Sequence, residues 1–142
     1  MIPVFGQGVG PNQVIICEHN DFIGKSMSFS LESGMRHKLV PKLGNLNDKV
    51  SSILVGGNVK VIVFKHVDFK GHFETIETSS KQLSKNYWSK GGGYPSASEN
   101  INDKISSMII FPRHREHPAG VVMYNETSGF TEYRRQYFRY RS

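Results

Sequence analysis

The sequence predicts an all-β domain in which two Greek keys pack as a β-sandwich, and three observations carry that reading. Asn47 to Val55 reads NDKVSSILV and Asn102 to Ile110 reads NDKISSMII, an offset of 55 residues. CEHNDFIGKSMSF (17–29) returns as FKHVDFKGHFETI (64–76), with His19/His66, Asp21/Asp68, Phe22/Phe69 and Gly24/Gly71 each 47 apart. No amphipathic helix of ten residues can be written in the body of the chain, whereas apolar or alternating runs of strand length recur. Two copies of one unit suit a paired arrangement; a solenoid needs three or more.

Residues 1–12 precede the first copy as an N-terminal extension. Key one, about 13–56, opens with the apolar run QVIICEH, turns at Gly24, alternates through SMSFSLES and closes with VSSILV. Key two, about 57–111, opens with VKVIVFKH, turns at Gly71 and closes with ISSMIIF. Glycine after an aromatic marks each turn, where a left-handed backbone costs it little. The two offsets differ because key two carries about eight extra residues in SSKQLSKNYWSKGGGYPSASE (79–99), rich in Ser, Gly and Lys and loop-like. Four short strands per copy, twice over, give the two keys of the sandwich.

At 142 residues and 16.1 kDa the chain is one ordinary domain, large enough for a core. No apolar run nears the roughly 20 residues needed to cross a bilayer. The opening MIPVFGQGVGPNQ has neither the basic start nor the apolar core of a signal peptide, which favours a cytoplasmic setting and leaves a processed secreted form open. The single cysteine, Cys17, excludes an internal disulfide and reads as a small buried apolar group. The net charge of +6 is unevenly distributed. Residues 1–111 hold twelve basic and nine acidic residues, with Arg36 the one arginine; residues 112–142 hold six arginines, no lysine and three acids. That shift sets off 112–142 as a basic, aromatic C-terminal extension.

The aromatic-x-Gly turns and the two Asn/Asp-Asn/Asp-x-x-Ser/Thr-Ser motifs together resemble the βγ-crystallin superfamily, in its calcium-binding microbial and non-lens branch. In that family each key opens with an aromatic, a second aromatic, then x-Gly. Phe64, Phe69 and Gly71 fit fully; Phe22 and Gly24 fit, but Cys17 stands where the leading aromatic belongs. Asn47–Ser52 and Asn102–Ser107 both complete the second motif, and the likeness covers about residues 13–111. It implies a non-enzymatic domain holding two Ca2+ between facing loops. Asp48 and Ser51 would be ligands in the first loop and Asp103 and Ser106 in the second. Backbone oxygens near Lys49, Lys104, Glu18 and Lys65 would add to these. Asn47 and Asn102 belong to the loops, through side chain or backbone, and Ser52 and Ser107 would brace them. Similar proteins are linked to stress, dormancy, sporulation or extracellular structure.

The chemistry agrees: Ca2+ takes six to eight oxygens, and carboxylate, hydroxyl and carbonyl groups are the types supplied. With one carboxylate per loop, each beside a lysine, the expected affinity is micromolar to submillimolar. The plainer alternative is that Asn-Asp merely makes an Asx turn that the serines cap.

No cluster fit for acid–base or nucleophilic catalysis can be assembled, so the chain is not read as an enzyme. His19 and His66 repeat as structural positions, His114 and His117 lack partner ligands, and GQGVG (6–10) lacks the Lys-Ser/Thr of a phosphate loop. Trp88 reads as an anchor for its loop. The extension leaves two readings open. Its aromatics dock on the sandwich, or on a second copy to give a homodimer; or Arg134, Arg135, Tyr137, Arg139, Tyr140 and Arg141 contact an anionic membrane, glycan or nucleic acid, as in an adhesion or toxin-like module.

Overall fold

A computed structural model describes residues 9–35, 37–88 and 99–114. Seven strands appear: β1 (Gln13–His19), β2 (Ile23–Ser30), β3 (Lys38–Val40), β4 (Ser52–Val55), β5 (Val59–His66), β6 (Lys70–Ile76) and β7 (Ser107–Pro112). Only single 3-10 turns accompany them, and no α-helix occurs among the described residues. All pairings are antiparallel. One sheet runs β2-β1-β4 and the other β3-β7-β5-β6.

The hairpins and closing strands of the two copies share one register. Cys17 faces Ser26 and Ser52, and Phe64 faces Phe73 and Ser107, so both offsets of the sequence repeat are kept in the register. Both hairpins are irregular at the same place, between Cys17 and His19 and between Phe64 and His66. Both turns put an Asp-Phe pair in the left-handed region, Asp21-Phe22 and Asp68-Phe69, with φ between 59° and 62°. Such a backbone is costly for a bulky residue and persists only where the surroundings enforce it.

A serine hydroxyl does the enforcing. Ser52 Oγ accepts from the Phe22 amide at 3.0 Å and donates to the His19 carbonyl at 2.6 Å. Ser107 Oγ does the same for Phe69 and His66, at the same two distances. The last serine of each motif thus braces the hairpin turn, not the loop it belongs to. The glycines complete the turn: a Cβ at Gly71 (φ +83°) would lie 2.5 Å from His66 Cδ2, and one at Gly24 (φ +89°) 2.6 Å from His19 Cδ2. His19 and His66 therefore repeat because each ring lies over its own turn's glycine.

The keys exchange their third segments. β3, from key one, lies in the sheet of key two against β7. Its counterpart in key two is reduced to a single bridge between Ser80 and Ile53 of β4, with backbone bonds of 2.9 and 3.0 Å. The fourth strand of that sheet is thus one residue pair wide. The hairpin tips hold the exchanged segments, Asp21 N donating to Lys81 O and Asp68 N to Pro41 O.

The core lies between the sheets, with Val14, Ile16, Ile53, Val61, Val63, Met108 and Ile110 from the strands and Val50, Ile101 and Ile105 from the motif loops. Trp88 is 1% exposed in this same core, an anchor for the start of its loop. No helix of the described residues is long and apolar enough to cross a membrane.

Candidate metal centre

The two NDxxSS loops meet at one end of the sandwich and are tied to each other. Asp48 N donates to Ile105 O at 3.1 Å, and Asp103 N donates to Val50 O at 3.0 Å. Asp48 and Asp103 both stand in the left-handed region, φ 58° and 60°, which short polar side chains tolerate better than most. Each loop is also pinned to the strand beside it: Ser51 N donates to Cys17 O and Ser106 N to Phe64 O, both at 2.9 Å. Val50 and Ile105 plug into the core between these points, so exposed loop tips rest on rigid, buried anchors.

The side chains pair across the loops. Ser51 Oγ donates to Asp103 Oδ1 at 3.1 Å, and Ser106 Oγ donates to Asp48 Oδ1 at 3.1 Å. The sequence named Asp48 and Ser51 in the first loop and Asp103 and Ser106 in the second; the structure joins Asp48 to Ser106 and Asp103 to Ser51 across the loops. Each candidate site therefore takes one residue from each key. Both carboxylates are exposed and both serines buried. Asn47 Oδ1 and Asn102 Oδ1, one residue before each carboxylate, are buried without a hydrogen-bond partner.

The flanking residues differ between the copies. Lys65 Nζ is paired with both Glu99 oxygens at 3.1 Å. Its ammonium is thereby held, and only its backbone carbonyl could serve a cation. Glu18, the matching residue, uses Oε1 to accept from Lys25 N at 3.3 Å, with His19 Nε2 3.7 Å away. Lys49 and Lys104 sit one residue after each carboxylate, with amides bonded back to Leu46 O and Ile101 O. Among the described residues no three His, Cys, Asp or Glu side chains gather around a point. A cation here would rely on hydroxyl, amide and carbonyl oxygens beside one carboxylate, a donor set for a hard ion and not for zinc or copper.

Burial pushes the Cys17 thiol up from its ordinary value, against a smaller pull from its hydrogen bond with Ser52, so the thiol stays protonated at neutral pH. Arg134, Arg135, Tyr137, Arg139, Tyr140 and Arg141 lie outside the described residues, as does the loop from 89 to 98.

The family model for Beta/Gamma crystallin matches residues 10–90, more than half of the chain. The chain belongs to the βγ-crystallin family. Spherulin-3A of Physarum polycephalum is 37% identical over 68 residues, which cover 48% of this chain and 55% of spherulin-3A. This chain therefore spans only about half the length of that relative. A solved domain from work on the evolution of the eye lens βγ-crystallin fold superposes with a TM-score of 0.54 at 30% identity, over 72% of this chain and 88% of that one. The βγ-crystallin domain of the Abundant Perithecial Protein of Neurospora crassa, in its Ca2+-bound form, gives a TM-score of 0.53 at 24% identity, over 77% and 98%. At that identity the likeness is one of fold. The Cys17 departure has left the βγ-crystallin fold intact, since Ser52 and Gly24 hold that turn without the leading aromatic.

Proposed function

We propose that this βγ-crystallin is a non-enzymatic domain that binds two Ca2+, one at Asp48 with Ser106 and one at Asp103 with Ser51, and is stabilised by them. The observation that carries the reading is the reciprocal carboxylate–hydroxyl contact at 3.1 Å across the loops. Neighbouring oxygens in a shell of radius 2.3–2.6 Å stand about 3 Å apart, so each pair already has the spacing of two ligands to one ion. Carbonyls at Lys49, Lys104, Glu18 and Lys65 would supply further oxygens. The unpaired Asn47 and Asn102 Oδ1 atoms add acceptor capacity where a cation would offset the penalty of leaving them buried and unsatisfied. A protein of this fold has been crystallised with Ca2+ bound, in agreement with this reading.

One carboxylate per site sets the affinity in the micromolar to submillimolar range. Because only the folded chain assembles both halves of each site, a hundredfold excess of Ca2+ over Kd would stabilise it by about 2.7 kcal/mol per site. The role that follows is structural, in stress or otherwise: the ions hold the two keys together.

Equilibrium dialysis tests the assignment. Two ions should bind per chain, one to Asp48→Ala or to Asp103→Ala, and none to the double variant. Undiminished uptake by the double variant would refute it.

A further inference from the structure

The two candidate sites follow one plan, but the charges beside them differ. Ser51 N donates to Cys17 O, which sets Glu18 beside the Asp103–Ser51 site. Ser106 N donates to Phe64 O, which sets Lys65 beside the Asp48–Ser106 site. Glu18 and Lys65 occupy the same position of the repeat, 47 residues apart, and carry opposite charges. The other charges of the motifs and hairpin turns are matched between the copies. Lys49 and Lys104 follow the two aspartates alike, and each turn adds one aspartate and one lysine, Asp21 with Lys25 and Asp68 with Lys70.

Lys65 does not act alone. Both oxygens of Glu99, the last residue of the lengthened 79–99 segment, hold its ammonium at 3.1 Å, so the pair is neutral as a unit. Glu18 is placed otherwise. Its carboxylate accepts from the Lys25 amide, and His19 Nε2, 3.7 Å away, is a counter-charge only when protonated. Among the described residues no lysine or arginine side chain pairs with it.

We infer that these flanking charges make the two sites unequal. Resting on the calcium reading above, the Asp103–Ser51 site fills first, drawn by the Glu18 charge. The Asp48–Ser106 site fills second, and Glu99 serves it by cancelling the repulsion of Lys65. Neither glutamate side chain has to touch the ion. By Coulomb's law a unit charge about 8 Å from a divalent ion in water changes its affinity roughly fivefold at low salt. Salt screens such an effect between exposed groups.

An NMR titration of the full-length protein with CaCl2 at pH 8 tests this, with the Ser51 and Ser106 amides reporting their own sites. In about 10 mM salt the Ser51 signal should reach its midpoint at roughly fivefold lower free Ca2+ than the Ser106 signal. Glu18→Gln keeps the oxygen that accepts from the Lys25 amide and removes the charge; it should raise the Ser51 midpoint about fivefold and bring the two sites level. Glu99→Gln should raise the Ser106 midpoint by a similar factor and leave Ser51 in place. Equal midpoints in the native chain, or a Ser51 midpoint unmoved by Glu18→Gln, would overturn the inference and leave the calcium reading standing. No Ca2+-dependent shift at either amide would overturn both.

Discussion

The two hairpin corners of the molecule share one backbone and differ in filling. At the second, Phe64 meets Phe69 edge-on at 5.7 Å and Phe73 at 5.6 Å, all three buried. At the first, Cys17 and Ser26 stand in the places of Phe64 and Phe73, and Phe22 is only partly buried. Yet the left-handed Asp-Phe pair, the serine hydroxyl between amide and carbonyl, and the glycine beneath the histidine recur with distances that agree within 0.1 Å. The comparison teaches that hydrogen bonding and glycine fix the shape of this corner, whereas aromatic packing sets how strongly it is held.

Truncating the filling should expose the difference most. Phe64→Ala is expected to cost about 3–5 kcal/mol, as for other buried aromatics. Cys17→Ala, which removes a single buried sulfur, should cost about 1 kcal/mol. Urea denaturation of the two variants measures both, and equal losses would break the comparison. The shared brace comes next: Ser52→Ala and Ser107→Ala each leave a turn amide and carbonyl unpaired, part-buried except for the buried Phe69 amide, at about 1–3 kcal/mol. Their losses should match, although their corners do not; a much larger loss at one would show that the brace depends on the filling.

The smallest effect is a pH slope. Burial raises the folded-state pKa of Cys17 above its ordinary 9.0, so on unfolding the thiol ionises more readily. The unfolded chain then binds fewer protons, and stability that is complete below that value declines as pH rises through it toward the folded-state pKa. Urea midpoints taken from pH 7.5 to 10 should fall more steeply for the native chain than for Cys17→Ala. Identical slopes would mean that the thiol is not desolvated.

Much of this arrangement was legible because repetition is visible without any partner being known. The offsets of 47 and 55 residues predicted both hairpins, both motif loops and the pairing of two keys. What stayed hidden were contacts between residues far apart in the chain. Ser106 bonds an aspartate 58 residues earlier and Ser51 one 52 residues later, a pairing across the loops that no spacing within one motif reports. Ser52 reaches an amide 30 residues away, which no local pattern reports. Key two's counterpart of β3 is one bridge because the chain leaves the sheet after Ser80, and residues 81–88 send Leu83 and Trp88 into the core instead. The two-sided burial of β5 and β7 did leave a trace: Val61–Phe64 and Met108–Phe111 are unbroken apolar runs, where a strand wet on one face would alternate.

The exchange of third segments governs how the molecule comes apart. β3 belongs by sequence to key one but is bonded to β7, while Ser80 of key two is bonded to β4. Melting either copy strips a neighbour from the other's sheet and uncovers the core they share. Neither half keeps its sheet without the other, and the domain is expected to denature as one cooperative whole despite its written-out duplication.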